Sequence, residues 1–234
     1  MKKKSILLKS LALGFAITLV VFAKSNLSFA SEENRKDLMY YGLQKINRET
    51  YNLRDMKEER FEKLRGDLAK AYESGMDKVD EESYFYLLKD LPFTDQELDY
   101  ALEDTGLKGL GKDFKEVSEE IGINPILLMA MAKHETGNGT SDLFKYKKNL
   151  FGFNAVDHDP YNKASDFKDP KESIATVASH LKEEYLDEEG AYYHGISAKG
   201  IGTSYATDPD WSKKVNSMMA EIGEKMLKGY EENK

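Results

Sequence analysis

The chain has 234 residues, contains no cysteine and carries a formal net charge of −8 at pH 7. Without cysteine no disulfide framework can form, and the excess of acidic residues argues against nucleic acid as a partner. The length allows one sizeable hydrophobic core together with an accessory segment. The four histidines show neither the HExxH spacing nor another paired-ligand spacing, so we predict no metal site and no cofactor.

The N-terminus has the three parts of an export signal. Residues 1–4 are basic, residues 11–23 are apolar, and Ser28-Phe29-Ala30 forms a small-x-small cleavage site. We expect cleavage after Ala30, which removes five lysines and no acid and lowers the net charge from −8 to −13. The alternative is an uncleaved membrane anchor, although the apolar run is shorter than the roughly 20 residues that a spanning helix needs. In either case the basic residues keep the N-terminus inside and the rest of the chain outside.

Residues 31–105 have the composition of helices and lack a catalytic motif. Apolar residues recur there at helical spacing: Phe61, Leu64, Leu68 and Ala71. A further helical pair is predicted at residues 82–89 and 95–103, with Thr94 as the N-cap of the second helix. We expect three neighbouring aromatic residues in the core, the alternative being a surface for sugar or for a membrane partner: Tyr84, Phe85 and Tyr86. The segment is interpreted as a helical spacer or bundle that packs on a catalytic domain at residues 106–234.

One stretch of the chain places a single carboxylate at the end of an otherwise apolar helix. Asn124 is a suitable N-cap, Pro125 needs no N–H partner at the first helical position, and Gly137 supplies a left-handed stop. A helix is therefore predicted over about residues 125–136. Glu135 falls on the face that enters the core, together with three apolar residues: Leu128, Met131 and Ala132.

The position of Glu135 is that of a general acid. Burial and the negative end of the helix dipole both raise the pKa of its carboxyl group, which keeps it protonated for transfer to a glycosidic oxygen. The alternative is a surface glutamate that ends an amphipathic helix. The flanking Gly137, Asn138 and Gly139 favour a functional site, because they allow backbone and ligand to approach closely.

The segment after this helix is predicted as a small β-hairpin. Residues 149–156 alternate loosely and are rich in aromatics, residues 157–162 contain turn residues, and residues 164–167 return as a second strand. Helices are predicted before it, leading to Asn124, and after it, from Pro170 and again over residues 209–226. We therefore predict a mainly helical α+β domain with a small β-hairpin lobe.

Four blocks of this sequence resemble the bacterial cell-wall glucosaminidases, which are autolysin-type endo-β-N-acetylglucosaminidases. The resemblance covers about residues 107–222, and its motifs keep the family order: Asn124-Pro with His134-Glu-Thr-Gly-Asn-Gly-Thr-Ser, Asn149-Leu-Phe-Gly, Ala155-Val-Asp-His-Asp-Pro-Tyr, and Tyr205-Ala-Thr-Asp-Pro-Asp-Trp. The resemblance implies a lysozyme-like fold in which the sugar lies in a cleft between two lobes. It also implies that Tyr205 points into the cleft near the acid.

A glycosidase usually needs a second group on the opposite side of the sugar. Asp157 is the first candidate, because it lies at the predicted hairpin tip and matches the aspartate of the corresponding family block. The alternative for Asp157 is an Asx-turn ahead of Pro160, and Asp159 fits either role. Because the distance between the two carboxylates is not set by the sequence, retaining and inverting outcomes both stay open. Substrate assistance, argued for this family, would leave Glu135 as the one indispensable carboxylate.

Further residues of these blocks are candidates for substrate contact. Trp211, the only tryptophan, can stack on a sugar, although a tryptophan one turn into a helix is more often core. Phe151 and Tyr161 are weaker candidates on the predicted β-lobe. Asn149 is grouped with them and is expected to shape that lobe.

These features predict an exported peptidoglycan hydrolase that cleaves the β-1,4 bond between N-acetylglucosamine and N-acetylmuramic acid. Its expected partners are peptidoglycan glycan strands, with membrane anchoring and a membrane or wall-synthesis protein as further options. One alternative is a lytic transglycosylase, which also needs one protonated glutamate on a lysozyme-like fold. The other is a non-catalytic, membrane-anchored wall scaffold. We expect the protein outside the cell or in the wall, either free or anchored to the membrane facing it.

Overall fold

The computed structural model describes residues 56–155 and 160–233, and from Glu58 onward these residues belong to one compact unit. The α-helices in this part of the chain are α1 (56–74), α2 (Asp95–Tyr100), α3 (Gly111–Ile121), α4 (Pro125–Glu135), α5 (Asp142–Lys147), α6 (Pro160–Lys163), α7 (Pro170–His180), α8 (Ala198–Tyr205) and α9 (Trp211–Glu232). A 3₁₀ turn occupies Met76–Lys78, and α7 continues as a π-helical turn at Leu181–Leu186. The predicted export segment, residues 1–30, lies outside the described residues, and so does Asp157.

Helix α4 lies at the centre of the core. The Asn124 side chain caps it by accepting a hydrogen bond from the Ile126 N–H at 2.8 Å, with Pro125 at the first helical position. The prediction of this helix is confirmed to within one residue. The predicted apolar stripe is only part of what is buried, however, because α4 packs against both α3 and α9 and every side chain from Pro125 to Lys133 is buried.

Residues before the predicted domain boundary at 105–106 contribute to the same core. Phe61 on α1 stacks on Tyr230 of α9, with ring centroids 4.4 Å apart and planes within 7° of parallel. The side chains predicted as buried on α1 are buried, and so are Tyr84 and Phe85. Among the described residues, no helix combines the length and the apolar character needed to cross a membrane.

The helix predicted over residues 82–89 is absent, and the segment is an irregular loop. Side chains from other segments hydrogen-bond the backbone of this loop. The Asn124 amide donates to the carbonyls of Tyr84 and Tyr86 at 2.9 and 2.8 Å, and Asp67 accepts from the Tyr84 N–H at 2.9 Å. Because these partners replace helical hydrogen bonds, the loop is anchored without being helical. The N-cap predicted at Thr94 is confirmed, and in the structure Glu97 completes a capping box with it.

The last helix begins two residues later than its sequence indicates. Asp208 accepts a hydrogen bond from the Asp210 N–H on its side chain at 2.9 Å and one from the Trp211 N–H on its carbonyl at 3.1 Å. Pro209 therefore lies in a turn ahead of α9 rather than at its first position. The apolar face of α9 is buried along its length, and Gly223 lets the Phe85 ring approach its backbone.

The predicted β-hairpin is not present in residues 149–155 and 160–167, which contain no strand. Two backbone bonds join the returning chain segments, from Ser165 N–H to the Phe153 carbonyl at 3.0 Å and from Phe167 N–H to the Lys147 carbonyl at 2.9 Å. Left-handed backbone conformations interrupt any extended segment at three positions: Lys148, Gly152 and Asn154. The described residues of this lobe are therefore helix and loop.

Candidate active site

Glu135 is the last residue of α4, and its side chain is half-buried. Burial raises the pKa of its carboxyl group above the ordinary glutamate value. Two smaller effects oppose this shift in the pKa of Glu135: a hydrogen bond from Trp211 and the electrostatic interaction with His134. Since burial dominates, the carboxyl group holds its proton to a higher pH than an exposed glutamate does.

Trp211 is the partner of Glu135 from the facing helix. Its indole Nε1–H donates a hydrogen bond of 2.9 Å to Glu135 Oε1. Trp211 is the first residue of α9 and only 2% exposed, which leaves little ring surface for stacking on a sugar. Its predicted role as a substrate-stacking residue is therefore not supported by this geometry, and its contact is with the carboxyl group itself.

The turn after Glu135 is held by backbone contacts. Gly137, Asn138 and Gly139 all have left-handed backbone conformations, with φ of 55°, 58° and 80°. The Asn138 N–H donates to the Lys133 carbonyl at 2.8 Å, and the Asn138 carbonyl accepts from the Gly106 N–H at 2.9 Å. A Cβ on Gly139 would lie only 2.6 Å from the Gly106 carbonyl carbon. The close approach at Gly139 is thus to the protein's own backbone, whereas the sequence suggested approach to a ligand.

Tyr205 ends α8 and belongs to the same site as Glu135. Its hydroxyl donates to the Phe151 carbonyl at 3.4 Å, and its ring centroid lies 5.0 Å from that of Trp211. Burial, followed by the negative charge of Glu135, raises the pKa of the Tyr205 hydroxyl. The hydroxyl therefore stays protonated, as a hydrogen-bond donor requires.

An aromatic row extends from Trp211 and Tyr205 along the protein. Tyr185 meets Tyr205 edge to face at 5.9 Å, and Tyr192 follows at 5.1 Å from Tyr185. Tyr192 is 43% exposed, so the row runs from the buried carboxyl group to the surface. Sequence reasoning missed this row: Tyr185 carried only the signal of a core residue at helical spacing, and Tyr192 lies in an irregular loop.

The remaining predicted substrate residues differ in exposure. Asn149 is 1% exposed, and its side chain bonds four backbone groups, donating to the Phe153 and Ser165 carbonyls and accepting from the Phe151 and Phe153 N–H groups. It has no hydrogen-bonding group left for a ligand, so its role is to shape the loop. Phe151 is 4% exposed, whereas Tyr161 is 43% exposed and lies 5.2 Å below the Lys147 ammonium group.

Lys133 is a buried charge that sequence reasoning also missed. Its side chain is 1% exposed, and its Nζ lies 3.0 Å from Glu221 Oε1 on α9. Glu221 also pairs with Lys225 at 3.2 Å. The ion pair therefore joins α4 and α9, the helices that carry Glu135 and Trp211. Within the described residues, no cluster of three or more His, Asp or Glu side chains is arranged to hold a metal ion.

Comparisons with known proteins find similarity to endo-beta-N-acetylglucosaminidases and to an autolysin. Residues 111–224 match the glucosaminidase family model, described as mannosyl-glycoprotein endo-beta-N-acetylglucosaminidase. A Streptococcus pneumoniae serotype 4 protein, named as a candidate endo-beta-N-acetylglucosaminidase, is 35% identical over 150 residues, which cover 60% of this chain and 23% of that protein. The bifunctional autolysin of Staphylococcus aureus is 30% identical over 148 residues, which cover 53% of this chain and 11% of the autolysin. The chain thus spans less than a quarter of the length of these relatives.

Solved structures of staphylococcal proteins also resemble the chain, at 20% and 25% sequence identity. A catalytic mutant of S. aureus autolysin E, in complex with the disaccharide NAG-NAM, gives a TM-score of 0.49 at 25% identity and covers 70% of this chain and 78% of that one. S. aureus glucosaminidase B gives a TM-score of 0.47 at 20% identity and covers 68% and 72% of the two chains. Residues 111–224, just under half of the chain, thus match the glucosaminidase family model, and the chain is similar in sequence to a candidate endo-beta-N-acetylglucosaminidase.

Proposed function

We propose that this protein is a peptidoglycan hydrolase that cleaves the β-1,4 bond between N-acetylglucosamine and N-acetylmuramic acid, with Glu135 as general acid. The observation that carries the proposal is the half-buried carboxyl group at the end of α4, whose pKa is raised by burial. The match of residues 111–224 to the glucosaminidase family model supports the same class of reaction. The names of the staphylococcal relatives, an autolysin and a complex with NAG-NAM, support peptidoglycan as the substrate.

In the proposed reaction, Glu135 donates its proton to the glycosidic oxygen as the bond to the anomeric carbon breaks. The leaving oxygen takes the bonding electron pair and the proton, and Glu135 becomes a carboxylate. Positive charge then develops on the sugar ring and needs a group on its opposite face. Asp157 is our candidate for that group, and the substrate's own acetamido oxygen is the alternative. An Asp157→Asn protein that retains wild-type kcat would select the substrate-assisted route.

The other site residues take supporting roles in this proposal. We assign to the Tyr205 hydroxyl, a protonated donor within the field of Glu135, the role of a hydrogen-bond donor to the reacting sugar. The exposed Tyr161 and Tyr192 rings offer apolar faces to sugar units farther along the strand. Asn149 shapes the loop that presents the Phe151 carbonyl to Tyr205.

The net negative charge of the chain disfavours binding to an anionic polymer. It is compatible with a sugar strand that is bound by hydrogen bonds and stacking. We propose that residues 1–30 direct the protein to the outer side of the membrane, either free in the wall or anchored beneath it. This location gives the hydrolase access to peptidoglycan.

The test is mass spectrometry of borohydride-reduced fragments released from purified peptidoglycan by the full-length protein. Reduced N-acetylglucosamine ends are expected from the wild type and should be lost with Glu135→Gln. Glu120→Gln, which changes an exposed glutamate on α3 in the same way, is the matched control and should retain activity. Anhydro-muramic ends would instead indicate a transglycosylase, and reduced muramic ends a muramidase. No Glu135-dependent product would support the scaffold.

A further inference from the structure

The Trp211 indole is fixed by its surroundings on two helices. Its ring packs against Gly202 of α8, where a Cβ would lie 3.0 Å from ring atom Cε3. The centroid of the Tyr205 ring lies 5.0 Å from that of the Trp211 ring, and the His134 ring contacts Trp211 edge to face with the centroids 6.4 Å apart. Because the ring is almost fully buried, the direction of its N–H is set by the packing of α8 and α9 rather than by solvent.

An indole N–H can donate a hydrogen bond but cannot accept one. A protonated carboxyl group has one carbonyl oxygen, which is the better acceptor, and one hydroxyl oxygen, which carries the proton. The bond of 2.9 Å from Trp211 Nε1 to Glu135 Oε1 therefore favours Oε1 as the carbonyl oxygen. The proton is left on Oε2.

We propose that Trp211 is a positioning residue for Glu135, whose indole N–H holds Oε1 as acceptor and keeps the transferable proton on Oε2. This inference rests on the proposed role of Glu135 as general acid. It replaces sugar stacking, which the sequence suggested for Trp211, with an action through the acid.

The same hydrogen bond changes in strength during the reaction. A hydrogen bond to a carboxylate is stronger than one to a neutral carboxyl group. As Oε2 gives up its proton to the glycosidic oxygen, Oε1 gains negative charge and the bond from Trp211 strengthens. Trp211 thus stabilises the transition state more than the ground state, which accelerates the step. In the resting protein, the bond limits how far burial raises the pKa of Glu135.

Other charged or titratable groups also surround Glu135. Among the described residues, His134 lies beside it on α4, Tyr205 faces it from α8, and Asp208 in the turn before α9 interacts with His134. All three stay in place when only the indole N–H is changed. A change in the titration of Glu135 can then be assigned to that N–H.

Trp211 is the only tryptophan of the chain, so one indole signal reports on this bond. In a ¹H–¹⁵N spectrum of the full-length protein, the indole cross-peak should shift in one step as the pH rises through the pKa of Glu135. The midpoint should lie above the ordinary glutamate range, and Glu135→Gln should abolish the step. An indole cross-peak that does not titrate, or that titrates equally in Glu135→Gln, would overturn the hydrogen bond as proposed.

The catalytic part of the inference is tested by replacing tryptophan biosynthetically with benzothienylalanine, which has a similar ring shape but sulfur in place of the N–H. We expect kcat to fall by about tenfold, the size of one hydrogen bond to a charged group, with KM nearly unchanged. The alkaline limb of the kcat/KM profile should move to higher pH. The matched control is 5-fluorotryptophan, which keeps the N–H and should keep both quantities near the wild type.

Unchanged kcat and an unchanged pH profile in the sulfur analogue would overturn the positioning role, even if the melting temperature fell. The proposed function fails differently, through a Glu135→Gln protein that still releases reduced N-acetylglucosamine ends. The two failures can therefore be told apart.

Discussion

The Glu135 carboxyl group is partly buried, and its partners limit the effect of this burial on its pKa. Its position at the end of α4 leaves the side chain half-buried, and the resulting rise in its pKa is moderated by the Trp211 N–H and by His134. The buried acid is therefore neither fully isolated nor held as a stable ion pair. Two predictions concern this residue and its neighbour Tyr205.

The first prediction is that Glu135→Gln stabilises the folded protein at neutral pH. Because the pKa of Glu135 is raised in the folded state, the wild type is most stable below the ordinary glutamate pKa. Its stability is then lost as the pH rises through the raised, folded-state pKa. Glutamine has no such dependence, so the gain in unfolding free energy should be small at acidic pH and should increase across this window. Urea unfolding of both proteins over a pH series measures it, and a constant difference would contradict the prediction.

The second prediction separates activity from stability at Tyr205. Tyr205→Phe removes a hydroxyl whose hydrogen bond to the Phe151 carbonyl is long, so the free energy of unfolding should fall by less than about 1 kcal/mol. If the hydroxyl binds the reacting sugar, kcat/KM should fall by about tenfold to a hundredfold. Tyr72→Phe, which removes a hydroxyl bonded to Glu224 at 2.7 Å on the surface, should leave kcat/KM unchanged. Equal effects of the two changes on kcat/KM would refute the assignment.

At the scale of elements, α4 is positioned at both of its ends. At the N-terminal end, Asn124 caps the helix and also binds the loop that carries Tyr84. At the C-terminal end, the turn through Gly139 docks on the backbone of Gly106. The orientation of the Glu135 carboxyl group therefore depends on contacts that the chain makes both before and after this residue.

The third prediction tests the docking of this turn. Gly139→Ala places a Cβ in a left-handed conformation and within 2.6 to 2.8 Å of backbone atoms of Gly106 and Leu107, so something must move. We expect the free energy of unfolding to fall by about 3 kcal/mol or more. Gly66→Ala, on an exposed part of α1 with nothing within 4 Å, is the control and should stabilise by about 0.5–1 kcal/mol. Chemical denaturation measures both, and a wild-type midpoint for Gly139→Ala would contradict the docking.

At the scale of the whole molecule, one core joins residues on both sides of the predicted domain boundary. Helix α9 runs along this core, contacting α1 through Tyr230 and pairing with α4 through Glu221 and Lys133. The two helices that carry the acid and its indole donor are thus joined at a second point, away from the acid. Rigid packing of α4 against α9 preserves the 2.9 Å contact between them.

The fourth prediction concerns that second point. Glu221→Gln leaves the Lys133 ammonium group buried without its anion, and we expect a loss of about 2 kcal/mol in unfolding free energy. This lies below the roughly 3–5 kcal/mol of a fully buried pair, because the Glu221 side chain is 44% exposed. Lys133→Met removes the buried charge itself and should change stability by less than about 1 kcal/mol, since Glu221 keeps Lys225. A larger loss for Lys133→Met than for Glu221→Gln would refute this account.

The local signals in the sequence were sufficient for several helices. Asn124-Pro125 and the glycine after Glu135 define the bounds of α4, and Thr94 defines the start of α2, because caps act within one turn of the chain. The same signals failed at residues 82–89 and in the predicted hairpin. There, side chains distant in sequence, such as Asn124 for Tyr84 and Asn149 for Ser165, supply the backbone partners.

The sequence by itself determined the central helix and the carboxylate at its end, and its four motif blocks indicated the resemblance to the glucosaminidases. Each of these depends on residues close in the chain or on the order of the motifs along it. Only the tertiary structure decided that Trp211 binds Glu135, that Gly139 docks on Gly106 and that Lys133 pairs with Glu221. These contacts join residues from different elements, and their geometry depends on how the helices pack, which no local spacing specifies.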